Sequence, residues 1–362
     1  MNTIHDYLFW RGDLTFDQVP FNDVDAGILA RFAYEPMDGI VSDNFYEQTL
    51  LKDACREMLN DPGLVDHVIE RDIDPKFIWE ISNCRRFSDI RLSGYVNEIN
   101  TETQIQFSAV VFDINGEGDY YLGFRGTDNT LIAWKEDFNM GFEFPVPAQA
   151  QALEYLETAL RKFKDGTFMI GGHSKGGNLS IYSSVFCRPE FRRAISKIYN
   201  FDGPGFTSSI METEGYKEIS SKIITYVPKF SVVGMILEHE EDYSVVDSNA
   251  TGIMQHELLT WGIEPGGYDL VDDLDKGSKF LDETMRAWIG NLSKEEREVF
   301  VENIYSVVEA SNATTIAEFV DNKNEAVSRM ISMYSRMDSD SKSGIINGIK
   351  NFVECAKKNI RK

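Results

Sequence analysis

Gly172-His173-Ser174-Lys175-Gly176 is the stretch of this chain best suited to covalent chemistry. A serine hydroxyl attacks a carbonyl only when one group takes its proton and others hold the charge that develops on oxygen. A G-x-S-x-G segment meets the positional part of that need when it joins a strand to a helix. The serine then sits on a tight, strained turn, and its flanking glycines let strand and helix approach. That context is present. Thr167-Phe168-Met169-Ile170-Gly171 reads as an apolar strand, and Gly177-Asn178-Leu179-Ser180-Ile181-Tyr182 as a helix. Ser174 is therefore the candidate nucleophile, near a helix N-terminus where negative charge is favoured. The alternative is an ordinary strand–helix turn built of small residues.

An oxyanion needs two donors. One is the backbone N–H of the residue after the nucleophile, Lys175. The other comes from a loop after an earlier strand, and Phe124-Arg125-Gly126-Thr127 ends such a strand. Gly126 permits close approach, and Thr127 offers its N–H and hydroxyl. A capping threonine at a strand end is the plainer alternative.

Phe124-Arg125-Gly126-Thr127, Trp134-x-x-Asp137 and Gly172-His173-Ser174-Lys175-Gly176-Gly177 together resemble the class 3 lipase pattern of α/β-hydrolases. Asn200-Phe201-Asp202-Gly203-Pro204-Gly205 is similar to that family's strand and Gly/Pro turn. Gly234 to Val246 is similar to its next hairpin, and Gln255-His256-Glu257 to its catalytic-histidine region. The likeness spans residues 95–265. The whole chain also resembles a bacterial family of uncharacterised lipase-like proteins, with Trp10-Arg11-Gly12-Asp13-Leu14-Thr15-Phe16 and Trp134-Lys135-Glu136-Asp137-Phe138 as markers. The resemblance implies an α/β-hydrolase fold and names no substrate.

The general base is one of His5, His67, His173, His239 and His256. His5 and His67 lie in a helical N-terminal region. His173 adjoins the serine, but alternation points it away. The base of this fold follows the last core strand. His239 precedes the strand Tyr243–Val246 and His256 follows it, so chain order favours His256, where the resemblance also places the base. The resemblance implies an acid just before a Val-Pro pair. Here the stretch reads Ile224-Thr225-Tyr226-Val227-Pro228, and the matching Thr225 cannot stabilise an imidazolium. Asp202, one strand earlier, is the replacement that keeps the order Ser…Asp…His. Asp247 and Glu238 come next, and a turn-initiating aspartate is the structural alternative for Asp202.

Several elements must position these residues. Helical spacing predicts helices at Asp23–Ala33, Tyr46–Leu59 and Pro75–Ile81. A β pattern follows at Arg91–Ile99, Ile105–Phe112 and Tyr120–Phe124, with Asn115-Gly116 as a hairpin turn. The run Asp113 to Asp119 mimics the start of a calcium loop, but Phe124 stands where the bidentate glutamate belongs, so a turn is expected. Helices at Leu131–Phe138 and Ala148–Phe163 and after Ser174 alternate with strands at Thr167–Gly171, Lys197–Phe201, Lys222–Val227 and Tyr243–Val246. That alternation indicates an α/β sheet with crossover helices. From Lys279 the chain turns helical, with capping boxes at Ser293-Lys294-Glu295-Glu296 and Thr315-Ile316-Ala317-Glu318. The expected organisation is a helical region 1–90, a catalytic core 91–275 with a mostly parallel sheet, and a helical region 276–362. The helical ends are expected to form a cap over the acyl pocket.

The 362 residues carry 36 Lys+Arg against 59 Asp+Glu, a net charge of −23. Such a chain repels phosphate backbones and anionic lipid at long range, which disfavours nucleic acid as a partner and points to soluble esters or neutral lipid as substrate. The basic island Lys357, Lys358, Arg361 and Lys362 reads as a solubilising tail at a helix C-terminus. Asp269, Asp272, Asp273 and Asp275 read as a solvated loop and helix start. Four scattered cysteines, Cys55, Cys84, Cys187 and Cys355, form neither a CxxC pair nor a disulfide scaffold. With no signal-like N-terminus and no apolar run of membrane-spanning length, a cytoplasmic protein without stable membrane insertion is expected. No metal-ligand spacing, Walker loop or dinucleotide fingerprint appears, so no cofactor is expected. The reading is a serine esterase or lipase using Ser174, His256 and Asp202, with Thr127 and Lys175 at the oxyanion. Its rivals are a hydrolase-like binding or regulatory protein without turnover, and a thioesterase or peptidase with the same triad.

Overall fold

The computed structural model describes residues 1–63, 73–100, 105–127, 144–237, 239, 241–311 and 322–360. The expected helix Leu131–Phe138 with Trp134 and Asp137, the box at Thr315–Glu318, and the residues His67, Glu238, Arg361 and Lys362 lie outside them.

The fold is α/β. Strands β1 (Thr49–Leu50), β2 (Arg91–Asn100), β3 (Ile105–Asp113), β4 (Asp119–Phe124), β5 (Thr167–His173), β6 (Ile195–Phe201), β7 (Ile223–Pro228) and β8 (Tyr243–Val246) stand side by side in chain order. The short β9 (Ile263–Glu264) and β10 (Gly267–Tyr268) form a separate hairpin, and β11 (Leu270–Val271) closes the sheet beside β8. Strands β4 to β8 are parallel, while β1 to β4 and the β8–β11 pair are antiparallel. This is the α/β-hydrolase arrangement expected, with a parallel centre and an antiparallel entry. The β3–β4 hairpin turns where expected. Gly116 adopts φ 72° there, and its N–H donates to Asp113 Oδ1 at 2.8 Å, so the calcium-like stretch is a turn.

Alternation along β3 and β4 divides the core into two layers. Val110, Phe112 and Tyr121 face one side, where they pack with α1 (Ile4–Arg11), α2 (Asp23–Phe32), α3 (Leu51–Asn60) and α4 (Pro75–Ser82). Ala109, Val111, Leu122 and Phe124 face the other, against α5 (Pro147–Lys162) and α6 (Lys175–Phe186). Instead of capping the sheet's rim, the N-terminal helices form one layer of the core. Helix α2 is buried from Val24 to Phe32 and begins at Asn22, whose side chain accepts from the Val24 and Asp25 N–H groups. Beneath it, Arg86 and Asp25 form a fully buried two-bonded pair (2.8 and 2.6 Å), and Arg86 also donates to the carbonyls of Leu14, Val19 and Pro20. The loop after Trp10 is thereby tied to the core.

Two local expectations differ from the structure, and four elements gave no signal in the sequence. The helix predicted from Tyr46 starts at Leu51, because Ser42 and Asn44 side chains hold the preceding N–H groups in turns and Thr49–Leu50 pairs with Arg91–Leu92. Helix α1 and strands β9 to β11 are too short and too mixed in pattern to show a period. The C-terminal region starts at Lys276, with Asp275 at the N-cap position, and runs through α7 (Lys276–Asn291), α8 (Lys294–Glu309), α9 (Lys323–Arg336) and α10 (Ser339–Ile360). The Ser293–Glu296 capping box forms as expected.

Candidate active site

Register brings the first two residues of the site together. His173 on β5 is paired with Phe201 on β6, so Ser174 and Asp202 leave neighbouring parallel strands at the same level. The Ser174 N–H donates to the Phe201 carbonyl at 2.9 Å. Both turn sharply, Ser174 at φ 58° and Asp202 at φ 52°, a region that side-chain-bearing residues rarely adopt. Such strain persists only where the surroundings over-determine it. Packing at the turn supplies that constraint: a Cβ on Gly172 would fall 2.4 Å from the Gly176 carbonyl carbon and 2.6 Å from the Phe124 oxygen. This is the strand–turn–helix elbow expected from the sequence.

His256 arrives on a short helical turn, Gly252–His256, after β8. Its Nδ1 lies 2.6 Å from Asp202 Oδ2. The other Asp202 oxygen accepts from Ser231 Oγ at 2.5 Å, and the Ser231 carbonyl accepts from Ser278 Oγ on α7. A carboxylate only accepts, so Nδ1 carries the hydrogen and Nε2 is the ring atom left to take a proton. Asp202 is fully buried and the His256 side chain about a quarter exposed. Ser174 is 5% exposed, and among the described residues its hydroxyl makes no hydrogen bond.

His173 does more than adjoin the serine. Its ring lies 4.4 Å from the ring of His256, and its Nε2 is 2.7 Å from the His256 carbonyl oxygen. Burial, and next the proximity of His256, hold its pKa well below the ordinary histidine value, so the ring is neutral. Nε2 therefore carries the hydrogen, and Nδ1 accepts from the Tyr34 hydroxyl 3.1 Å away. One turn earlier on α2, Arg31 donates from Nε to Glu257 at 3.1 Å and from Nη1 to Glu35 at 3.1 Å. The N-terminal layer thus grips the histidine segment at His256 and at Glu257. Sequence reading missed Tyr34, Arg31 and Ser231 because no local pattern relates residues as distant as Tyr34 and His173, 139 positions apart.

The two oxyanion candidates border the same turn. Thr127 follows Gly126, where a Cβ would lie 3.0 Å from the Ser174 Cβ and 2.4 Å from the His173 oxygen. Lys175 opens α6 directly after Ser174. Its side chain runs into the interior, where Nζ donates to the Gln106 carbonyl and side-chain oxygens at 3.0 and 2.9 Å. Thr225, the departure from the family pattern, donates to Glu241 at 3.0 Å. Glu241 also pairs with His239 Nδ1 at 2.9 Å and accepts from Tyr216 at 2.6 Å. Burial pushes its carboxyl up, but the bonds and charge of His239 and the Tyr216 hydroxyl outweigh that and hold it below the ordinary range. His239 Nε2 is taken by the Gly234 carbonyl, so both ring nitrogens of that alternative base are occupied. Asp247 lies 3.8 Å from Lys229 and accepts from the Ser248 N–H. Among the described residues no group of His, Cys, Asp or Glu is arranged to hold a metal ion.

A family model described as Mbeg1-like matches residues 81–306. No curated protein matches the chain. Solved structures with a similar course include a lipase–propeptide complex from Rhizomucor miehei (14% identity, TM-score 0.35, covering 45% of this chain and 58% of that one). Others are lipase II from Rhizopus niveus (15%, TM-score 0.36, 54% and 81%) and a lipase from Rhizopus microsporus var. chinensis (13%, TM-score 0.35, 62% and 82%). The chain thus spans under two thirds of the Rhizomucor protein's length.

Proposed function

The chain belongs to the Mbeg1-like family, and from that premise we propose that it is a serine hydrolase cleaving carboxylic esters, lipid esters among them. Ser174 Oγ attacks the acyl carbon while His256 Nε2 takes its proton. The backbone N–H groups of Lys175 and Thr127 hold the oxyanion. As the C–O bond breaks, His256 returns the proton to the departing alcohol and leaves an acyl-serine. Water, deprotonated by the same imidazole, then releases the acid. Asp202 fixes the His256 tautomer and stabilises its cation.

The observation that carries this reading is the 2.6 Å Asp202–His256 hydrogen bond beside the strained Ser174 turn. Labelling by a fluorophosphonate probe tests it. Wild type labels and Ser174→Ala does not. An unlabelled wild type, or a labelled Ser174→Ala, removes the assignment. The second reading, a binding protein without turnover, draws on the absence, among the described residues, of a hydrogen bond from Ser174 Oγ. It requires that p-nitrophenyl esters of every chain length stay intact while a ligand still binds.

Four free, buried thiols fit a reducing compartment such as the cytoplasm. Among the described residues no helix is long and apolar enough to cross a membrane.

A further inference from the structure

We propose that α10 is a docking helix whose outer face lies reversibly on an anionic phospholipid surface. One face of α10 is already used. Ile345, Gly348 and Cys355 are buried, the Gly348 carbonyl accepts from Trp288 Nε1 of α7 at 2.9 Å, and Asn359 donates to Thr284 at 3.2 Å. Phe352 packs edge-on against Trp288, and Gly348 presses on Phe300 of α8. At 100° per residue, a second apolar stripe runs beside this face. It holds Ile346, Ile349, Val353 and Ile360, which are 39%, 50%, 41% and 72% exposed. A helix with one stripe in the core normally turns charged residues to water.

Lysines line this second stripe. Lys342 sits in line with it, half-buried with its Nζ donating to the Ser335 carbonyl at 2.8 Å, and the exposed Lys350 and Lys357 follow its outer border one turn apart from Ile346 and Val353. Lys358 lies further round with Glu354, and Asp340 sits at the helix start. Four lysines against two acids make α10 cationic in a chain of net charge −23. An apolar stripe bordered by lysines is the pattern of a helix lying in a lipid interface. The stripe enters the acyl boundary and the ammonium groups meet anionic head groups. Charge complementarity thus selects an anionic lipid surface as the occupant. The total charge argues otherwise, but screening acts within about 8 Å at physiological ionic strength, so the lysines at the contact decide. The substrate consequence rests on the hydrolase reading, since such docking would present lipid esters to the site, but the docking itself does not.

Flotation of the full chain with vesicles tests the proposal. Wild type should bind phosphatidylcholine vesicles containing about a third phosphatidylglycerol, bind pure phosphatidylcholine far less, and detach at high salt. Lys350→Glu with Lys357→Glu should weaken binding by more than about fivefold per lysine, since charge is reversed and not merely lost. Ile349→Asp with Val353→Asp should abolish it while circular dichroism and soluble-ester hydrolysis stay as in wild type. Ser174→Ala should float like wild type. Binding with no ester hydrolysis removes the hydrolase reading and leaves the docking helix. Hydrolysis with no vesicle binding does the reverse. Indifference to the α10 variants, or a dimer that Ile349→Asp with Val353→Asp dissociates, overturns the proposal.

Discussion

His256 Nδ1 lies 2.6 Å from Asp202 Oδ2, although the two residues are 54 apart in the chain. With Ser231 on its other oxygen, this fully buried carboxylate is shared between two donors. Asp202→Asn keeps the shape but can set an N–H₂ against the Nδ1 hydrogen, which forces the wrong tautomer. Ester-hydrolysis kcat is expected to fall about 10³–10⁴-fold with little change in KM. Glu241→Gln, in the neighbouring His239 pair, should instead lower the thermal midpoint and spare kcat. If Glu241→Gln proves the inactive one, the acid is misassigned.

Tyr34 meets the site at His173, at the ring Nδ1 and the backbone carbonyl. Tyr34→Phe removes the hydroxyl that His173 Nδ1 accepts from and should lower kcat about tenfold at constant KM, the cost of one lost buried hydrogen bond. His173→Gln keeps a donor for the His256 carbonyl and should be milder than His173→Leu. Equal kcat in both His173 variants would leave His173 with a packing role alone.

Gly126 has no room for a side chain. An alanine Cβ there meets the Tyr34 hydroxyl at 2.2 Å and the His173 carbonyl oxygen at 2.4 Å. Gly126→Ala should cost about 1–3 kcal/mol of stability and displace Thr127, lowering kcat as well. Gly266, with nothing near its would-be Cβ, is the control, and Gly266→Ala should stay within about 0.5 kcal/mol. Comparable loss in the two would show that crowding is not the cause. Denaturation midpoints and ester kinetics measure both effects.

Glu35 should set a pH dependence of stability. Burial, only partly offset by Arg31, pushes its carboxyl up to about 8 from 4.5. Below pH ~4.5 the group is protonated in both folded and unfolded chains. From there towards pH 8 the unfolded chain releases the proton and the folded chain keeps it, so stability falls as pH rises. Glu35→Gln, which cannot ionise, should gain on wild type by an amount on the order of a few kcal/mol between pH 5 and 8. Urea midpoints across that range read the difference, and parallel curves would contradict the shift.

Much of this molecule was legible in its residues. The Gly172–Gly177 elbow, the Asn115-Gly116 hairpin and strands β2 to β8 depend on neighbours in sequence, through turn chemistry and two-residue alternation. Chain order together with the family resemblance pointed to His256 and, ahead of Asp247 and Glu238, to Asp202. The three-dimensional structure decided what joins distant segments. Register between β5 and β6 sets Ser174 beside Asp202. Helix α2 reaches Glu257 through Arg31, and Tyr34, just past its end, reaches His256 through His173. The outward stripe on α10 is visible only once its other face is seen filled. Local patterns record which backbone shape a segment prefers. They carry no record of which distant side chain will neutralise a charge, complete a hydrogen bond or leave an apolar face bare, because those choices are made by packing.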